Sequence, residues 1–118
     1  MVEFEKTVEI TEKKSKFYGY LLLCENEENL KNAVAFLKSE HKKATHICWA
    51  GRMEHPFFEK AVDDGEPSGT AGRPILNVLQ KKGLQNVAVF VVRYFGGIKL
   101  GAGGLVRIYS KVAGELVK

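Results

Sequence analysis

Apolar and polar residues alternate at the start of the chain, and this pattern predicts a half-buried β-strand over residues 2–11. The apolar face of that strand carries Val2, Phe4, Val8 and Ile10. A polar turn at residues 12–15 separates it from a second apolar stretch at residues 16–24, which is also predicted to be a strand. Because the connection is short, the two strands are predicted to pair antiparallel.

A helix is predicted next, because apolar residues recur at the spacing i, i+3, i+4, i+7 between Leu30 and Leu37. Asn26 is its predicted N-cap, since an asparagine side chain can accept a backbone N–H of the first turn. Two more strands are predicted at residues 45–51 and 57–62, where β-branched and aromatic residues are frequent.

The second half of the chain is predicted to contain two helices and one strongly apolar strand. Arg73 precedes a proline and should be extended, so Pro74 is the predicted first residue of a helix that ends before Gly83. Residues 87–92 (VAVFVV) are continuously apolar, which predicts a strand buried on both faces. A final amphipathic helix completes the order ββαββαβα. This order predicts an α+β protein, specifically a two-layer α/β sandwich.

Composition narrows the class of protein without identifying it. The 118 residues predict one domain, residues 1–118, with 45% hydrophobic and 27% charged residues. No apolar run approaches the length of a membrane span, and two cysteines make no disulfide framework. We therefore expect a cytoplasmic protein with reduced thiols and no membrane partner. A formal net charge of +4 permits a nucleic-acid or ribosome partner without requiring one.

The first candidate site is the acidic segment, residues 63–74 (DDGEPSGTAGRP). Its glycines suit a tight turn, and its carboxylates are oxygen ligands of the kind that Mg²⁺ accepts, although their spacing is not that of an EF-hand. A structural or binding role is the favoured interpretation, and metal-dependent catalysis is the alternative. The candidate binding residues here are Asp63, Asp64, Glu66, Ser68, Thr70 and Arg73.

The second candidate site is the glycine-rich segment, residues 93–107 (RYFGGIKLGAGGLVR), which leads from a strand into a helix start. That layout resembles anion sites at helix N-termini, but neither the Walker A nor the dinucleotide-binding fingerprint fits. Its cations could bind phosphates, or they could neutralise the acidic segment. Its aromatic residues Tyr94 and Phe95 could stack on bases, or they could pack into the core. The candidate binding residues are Arg93, Tyr94, Phe95, Gly96, Gly97, Lys99, Gly101, Gly103 and Arg107, with Lys111 one turn further on.

Acids and cations are thus segregated into different segments, and this segregation predicts that the segments touch. We expect Asp63 or Asp64 to lie within salt-bridge distance of Arg93, Lys99 or Arg107. No catalytic residue, metal site or cofactor is predicted from either segment. His46 and Cys48 form a lone His-x-Cys pair, which is a weak zinc pattern without a second ligand pair.

Long ordered strings make the chain resemble the N-terminal domain of the IMPACT/YigZ family. These strings are SKFYGY at 15–20, ATHICWA at 44–50, DDGEPSGTAGRPIL at 63–76 and VVRYFGGIKLGAGGLVR at 91–107. The resemblance implies the two-layer α/β sandwich also found in domain four of elongation factor G and in GHMP kinases. In the family a second domain accompanies this one, and neither the eukaryotic RWD domain nor the bacterial ferredoxin-like domain is recognisable in these 118 residues.

The resemblance also implies a setting in translation. Eukaryotic IMPACT proteins regulate translation under amino-acid stress by competing for an activator of an initiation-factor kinase, and bacterial relatives are linked with nucleic acid or ribosomes. The leading hypothesis is a small non-catalytic binding module that contacts RNA, the ribosome or a translation-regulatory protein through the two segments. The alternative is a Mg-dependent hydrolase or phosphate-chemistry enzyme that uses Asp63, Asp64 and Glu66.

Overall fold

The computed structural model describes residues 2–118, so Met1 of the predicted domain lies outside the described residues. The strands are β1 Lys6–Glu12, β2 Ser15–Leu23, β3 His46–Met53, β4 Phe58–Val62 and β5 Val87–Tyr94. The helices are α1 Glu27–Glu40, α2 Gly72–Lys81 and α3 Gly101–Leu116. One sheet has the strand order β1-β2-β5-β3-β4, and all neighbouring strands are antiparallel. The predicted α+β class and element order are confirmed. None of the helices in residues 2–118 is both long and apolar enough to span a bilayer.

Strand β5 lies at the centre of the sheet, and helices cover both of its faces. Val89 and Val91 pack with the residues of α2 and α3, whereas Phe90 and Val92 pack with those of α1 on the opposite face. This two-sided burial explains why β5 is apolar without alternation. The sequence pattern did not indicate that α1 lies across the sheet from the other two helices.

The alternation at the start of the chain is interrupted, and the predicted single apolar face is therefore wrong. Val8 and Ile10 pack beneath α3, but Val2 and Phe4 precede β1 and pack on the α1 side. The Glu5 N–H donates to the Leu21 carbonyl at 2.8 Å, although Lys6 is the strand partner of Leu21. Two residues opposite one partner are the arrangement of a β-bulge, which reverses the inward and outward alternation.

The helix ends follow the predicted caps with one correction. Asn26 caps α1 by accepting the Asn29 N–H at 3.0 Å, and Gly83 follows α2 with a left-handed φ of 65°. Helix α2 begins at Gly72, so Pro74 is its third residue and not its first. Proline is tolerated there because the first four N–H groups of a helix have no partner within the helix.

Candidate functional site

The acidic and glycine-rich segments touch through a buried ion pair between Glu66 and Arg93. One guanidinium nitrogen of Arg93 donates to both Glu66 oxygens, at 2.8 and 3.0 Å, and the two side chains are 2% and 6% exposed. The expected contact between the segments is therefore present. The expected partners were wrong, because among residues 2–118 the carboxylates of Asp63 and Asp64 have no Lys or Arg nitrogen within 4.0 Å.

Two aromatic rings and a serine hold the Arg93 guanidinium in place. Its central carbon lies 5.5 Å from the Phe17 ring centroid and 5.4 Å from that of Phe95, so the charged plane is flanked by rings. Its second terminal nitrogen donates to Ser15 Oγ at 3.3 Å, and the same oxygen accepts the Gly96 N–H at 3.2 Å. Arg93 is thus a buried structural cation, and not part of an exposed basic surface as the sequence suggested.

Tyr109 and Cys48 extend this buried network below Glu66. The Tyr109 hydroxyl donates to Glu66 Oε2 at 2.6 Å, and Cys48 Sγ lies 3.0 Å from the Asp63 carbonyl and 3.5 Å from the Tyr109 oxygen. Burial raises the pKa of the Cys48 thiol to about 12, and burial also raises the pKa of Tyr109. Both groups are therefore protonated at neutral pH and act as donors.

His46 closes the network on its outer side. Its Nδ1 lies 2.8 Å from the Asp64 carbonyl oxygen, which can only accept, so Nδ1 is a donor there. Its Nε2 lies 3.5 Å from Glu66 Oε1. His46 and Cys48 therefore serve the packing around Glu66. Among residues 2–118, no group of three or more His, Cys, Asp or Glu side chains is placed to hold a metal ion.

The three acids of the acidic segment point to three different partners. Asp63 accepts the N–H groups of Gly69 at 2.9 Å, Ala71 at 3.2 Å and Gly72 at 2.9 Å, and so caps the start of α2. Asp64 accepts the Ile47 N–H at 2.7 Å. Because Glu66 is paired with Arg93 and the two aspartates accept backbone N–H groups, the three carboxylates do not converge as ligands of one Mg²⁺ ion.

Replacing Asp63 by alanine is expected to cost about 1–2 kcal/mol of stability, the usual range for losing an N-cap. Burial raises the pKa of Asp63, but hydrogen bonds from Gly69, Gly72 and Ala71 outweigh it, and the pKa falls below its ordinary value of 3.8. The ionised form therefore stabilises the fold above that value, and this contribution is lost as pH falls through the lowered pKa. Urea unfolding at pH 7 and at acidic pH should show the difference between wild type and Asp63→Ala shrinking in acid. A difference that grows in acid would contradict this role.

A central cleft of about 390 Å³ lies where the two segments meet. Five of the predicted binding residues line the cleft: Glu66, Arg93, Phe95, Lys99 and Gly101. The other lining residues were not in the predicted set: Thr45, His46, Gly65, Pro67, Leu100, Ala102 and Leu105. Helix α3 begins at this cleft, and its N-cap residue Leu100 offers no side-chain hydrogen bond. The free N–H groups of its first turn make this end of the cleft electropositive.

The remaining predicted residues lie outside the central cleft. Ser68 and Arg73 are exposed, and the Thr70 hydroxyl donates to the Pro67 carbonyl at 2.6 Å. Tyr94 lies on the α1 side, where its hydroxyl is 2.7 Å from His41 Nδ1. The others that do not line the cleft are Asp63, Asp64, Gly96, Gly97, Gly103, Arg107 and Lys111.

Sequence reasoning missed Ser15, Phe17 and Tyr109 as parts of the site. Tyr109 lies among the apolar positions of α3 and is fully buried, so it looks like a core residue. The one indication was its hydroxyl, because a buried tyrosine usually has a hydrogen-bond partner.

Comparisons with known proteins agree with the motifs and the fold. The sequence model of the Impact N-terminal domain matches residues 13–117. The IMPACT family member YvyE of Bacillus subtilis (strain 168) is 47% identical over 108 residues, which are 91% of this chain and 50% of that protein. The resemblance drawn from the motifs is confirmed.

Two solved structures share the fold. The crystal structure of a hypothetical protein superposes with a TM-score of 0.89 at 38% identity, over 94% of this chain and 55% of that one. The two-domain translational regulator Yih1 superposes with a TM-score of 0.65 at 27% identity, over 99% of this chain and 48% of that one. The chain spans about half the length of the bacterial IMPACT family members that it matches.

Proposed function

The chain belongs to the Impact N-terminal domain family, and we propose that it is a non-catalytic binding module in translation or its regulation. The ligand that we propose is RNA, which contacts the central cleft and the cations beside it. The observation that carries the proposal is the electropositive start of α3 at a cleft bordered by Lys99 and Phe95. Its solved relative Yih1, described as a translational regulator, supports the setting in translation.

Three cations are available for phosphate on this side of the molecule. Lys99, Arg107 and Lys111 are exposed, and none has a carboxylate within 4.0 Å among residues 2–118. Arg93 does not join them, because Glu66 neutralises it in the interior. Exposed cations near free helix N–H groups suit a phosphate backbone, and such contacts position a nucleic acid without reading its sequence.

Phe95 adds a surface for a base. Its side chain is 46% exposed, and one face of its ring lies towards the Arg93 guanidinium. Aromatic stacking favours single-stranded nucleic acid, because unpaired bases present their faces. Ile98 is also 42% exposed, and this neighbouring apolar surface is what favours the second candidate, a translation-regulatory protein as the partner.

Binding of a short oligouridine is expected to weaken steeply with salt. Three phosphate contacts on a single strand predict a slope of about −2 in a plot of log affinity against log salt, at roughly −0.7 for each contact. Replacing Lys99 and Lys111 by alanine together should flatten the slope to about −0.7 and weaken all sequences alike. Fluorescence anisotropy over a salt series measures both quantities.

The matched control replaces Lys31 and Lys38, which are exposed on α1 across the sheet from the cleft. This variant removes the same charge and should leave the slope unchanged. If wild type does not bind oligouridine at low salt, or if both double variants flatten the slope equally, RNA binding at the cleft is refuted. The protein partner then becomes the leading candidate.

A further inference from the structure

A second concave site lies between the β1–β2 turn and α3, next to the central cleft. This basic notch has a volume of about 210 Å³ and is lined by Lys13, Arg107 and Lys111 together with Gly104, Leu100 and the single acid Glu12. Leu100 lines both the notch and the central cleft, so the two sites are neighbours. Lys13 did not belong to either segment singled out in the sequence.

The three notch cations lack ionic partners. No carboxylate lies within 4.0 Å of Lys13, Arg107 or Lys111 among residues 2–118. The Arg107 side chain folds back along α3, and its terminal nitrogens lie 3.6 and 3.9 Å from where a Cβ would stand on Gly103 and Gly104. Like charges gathered around one concavity repel one another, and a bound anion would relieve that repulsion.

The turn that carries Lys13 has an unusual backbone. Lys13 and Lys14 have φ values of 46° and 68°, in the left-handed region where Asn and Gly are the favoured turn residues. Gly96 packs so closely on the Lys14 carbonyl that a Cβ would overlap it. This contact holds the turn beside α3. The fixed turn thereby keeps Lys13 in the lining of the notch, whereas Lys14 does not line it.

We propose that the basic notch binds a phosphate group through Lys13, Arg107 and Lys111. Three positive side chains from two elements surround a concavity large enough for a phosphate, and one acid, Glu12, offsets only part of their charge. We assign this phosphate group to the backbone of an RNA whose neighbouring phosphates lie at the central cleft. This assignment rests on the proposed function. Free phosphate compounds present the same chemistry, so the experiment separates the two sources.

The first arm titrates inorganic pyrophosphate into the ¹⁵N-labelled protein and follows the amide resonances of Lys13 and Gly104. Saturable shifts at both are expected. Lys13→Asn should weaken binding about fivefold, as for the loss of about 1 kcal/mol from one exposed ionic contact. Asparagine suits the left-handed turn, so this change removes the charge without straining the backbone.

Lys14→Asn is the matched control, because it makes the same charge and backbone change in the same turn, but Lys14 does not line the notch. This variant should bind pyrophosphate as wild type does. The absence of saturable shifts, or equal weakening by both variants, overturns the notch as a phosphate site.

The second arm repeats the salt series with oligouridine. Lys13→Asn should weaken oligouridine binding about fivefold at low salt, as for pyrophosphate, and Lys14→Asn should leave it unchanged. If wild type binds RNA and Lys13→Asn binds it equally well, RNA does not reach the notch, while the proposed function stands. If pyrophosphate saturates the notch and RNA does not bind at all, the notch serves free phosphate compounds and the proposed function fails.

Discussion

Replacing Glu66 by alanine is expected to lower the free energy of unfolding by about 3–5 kcal/mol, the usual cost of leaving one partner of a buried ion pair alone. Arg93 is only 5% exposed and lies between two aromatic rings, and its Nε has no hydrogen-bond partner among residues 2–118. Without Glu66, its charge would be uncompensated in the interior. The Tyr109 hydroxyl would also lose its acceptor.

Urea unfolding of two matched variants tests this prediction. In Glu59→Ala the removed carboxylate is also paired with an arginine, Arg52 at 2.7 Å, but those side chains are 23% and 15% exposed. That loss should cost at most about 1 kcal/mol, because partly exposed pairs are screened by solvent. Combining Glu66→Ala with Arg93→Met removes the orphaned charge and should recover part of the loss. Equal costs for Glu66→Ala and Glu59→Ala would show that the buried charge is not the dominant factor.

Local sequence patterns predicted the helices and strands of this fold because burial and backbone conformation restrict which residues occur at each position. The continuous apolar run at residues 87–92 reflects burial on both faces, and Gly83 marks the end of α2 because a left-handed residue is needed there. The order of elements followed from these local features. The bulge near Lys6 was not visible, since alternation on either side of it looks like one regular strand.

The pairing inside the candidate site could not be predicted in the same way. The sequence showed three acids and several cations, but not that Asp63 and Asp64 would be used by backbone N–H groups. Aspartates in loops commonly satisfy nearby backbone donors, which leaves the longer Glu66 to reach the strand that carries Arg93. Such contacts depend on tertiary geometry and leave no periodic pattern in the sequence.

Ser15 and Gly96 connect the buried Glu66–Arg93 pair with both candidate binding sites, the central cleft and the basic notch. Ser15 Oγ accepts hydrogen bonds from Arg93 in the core and from the Gly96 N–H. Gly96 in turn packs on the turn that carries Lys13, and Phe95 borders the central cleft. A change at Gly96 should therefore affect stability and phosphate binding together.

Replacing Gly96 by alanine is expected to destabilise the fold by about 3 kcal/mol, at the upper end of the usual cost of overpacking. The added methyl group would overlap the carbonyl of Lys14, and a backbone group cannot move aside as a flexible side chain can. The β1–β2 turn must then separate from the strand end that carries Arg93. We also expect weaker pyrophosphate binding, since Lys13 would no longer be held beside Arg107.

Gly114→Ala provides the opposite control for this substitution. Gly114 lies within α3, and a Cβ there would meet no heavy atom of residues 2–118 within 4 Å apart from its chain neighbours and the adjacent backbone of its own helix. Alanine should stabilise the helix at this position by about 0.5–1 kcal/mol through its higher helix propensity. Thermal and urea unfolding should therefore show changes in the free energy of unfolding that are opposite in sign for the two Gly→Ala variants. If Gly96→Ala were as stable as wild type and kept its affinity for pyrophosphate, the close contact would not be what holds Lys13 at the notch.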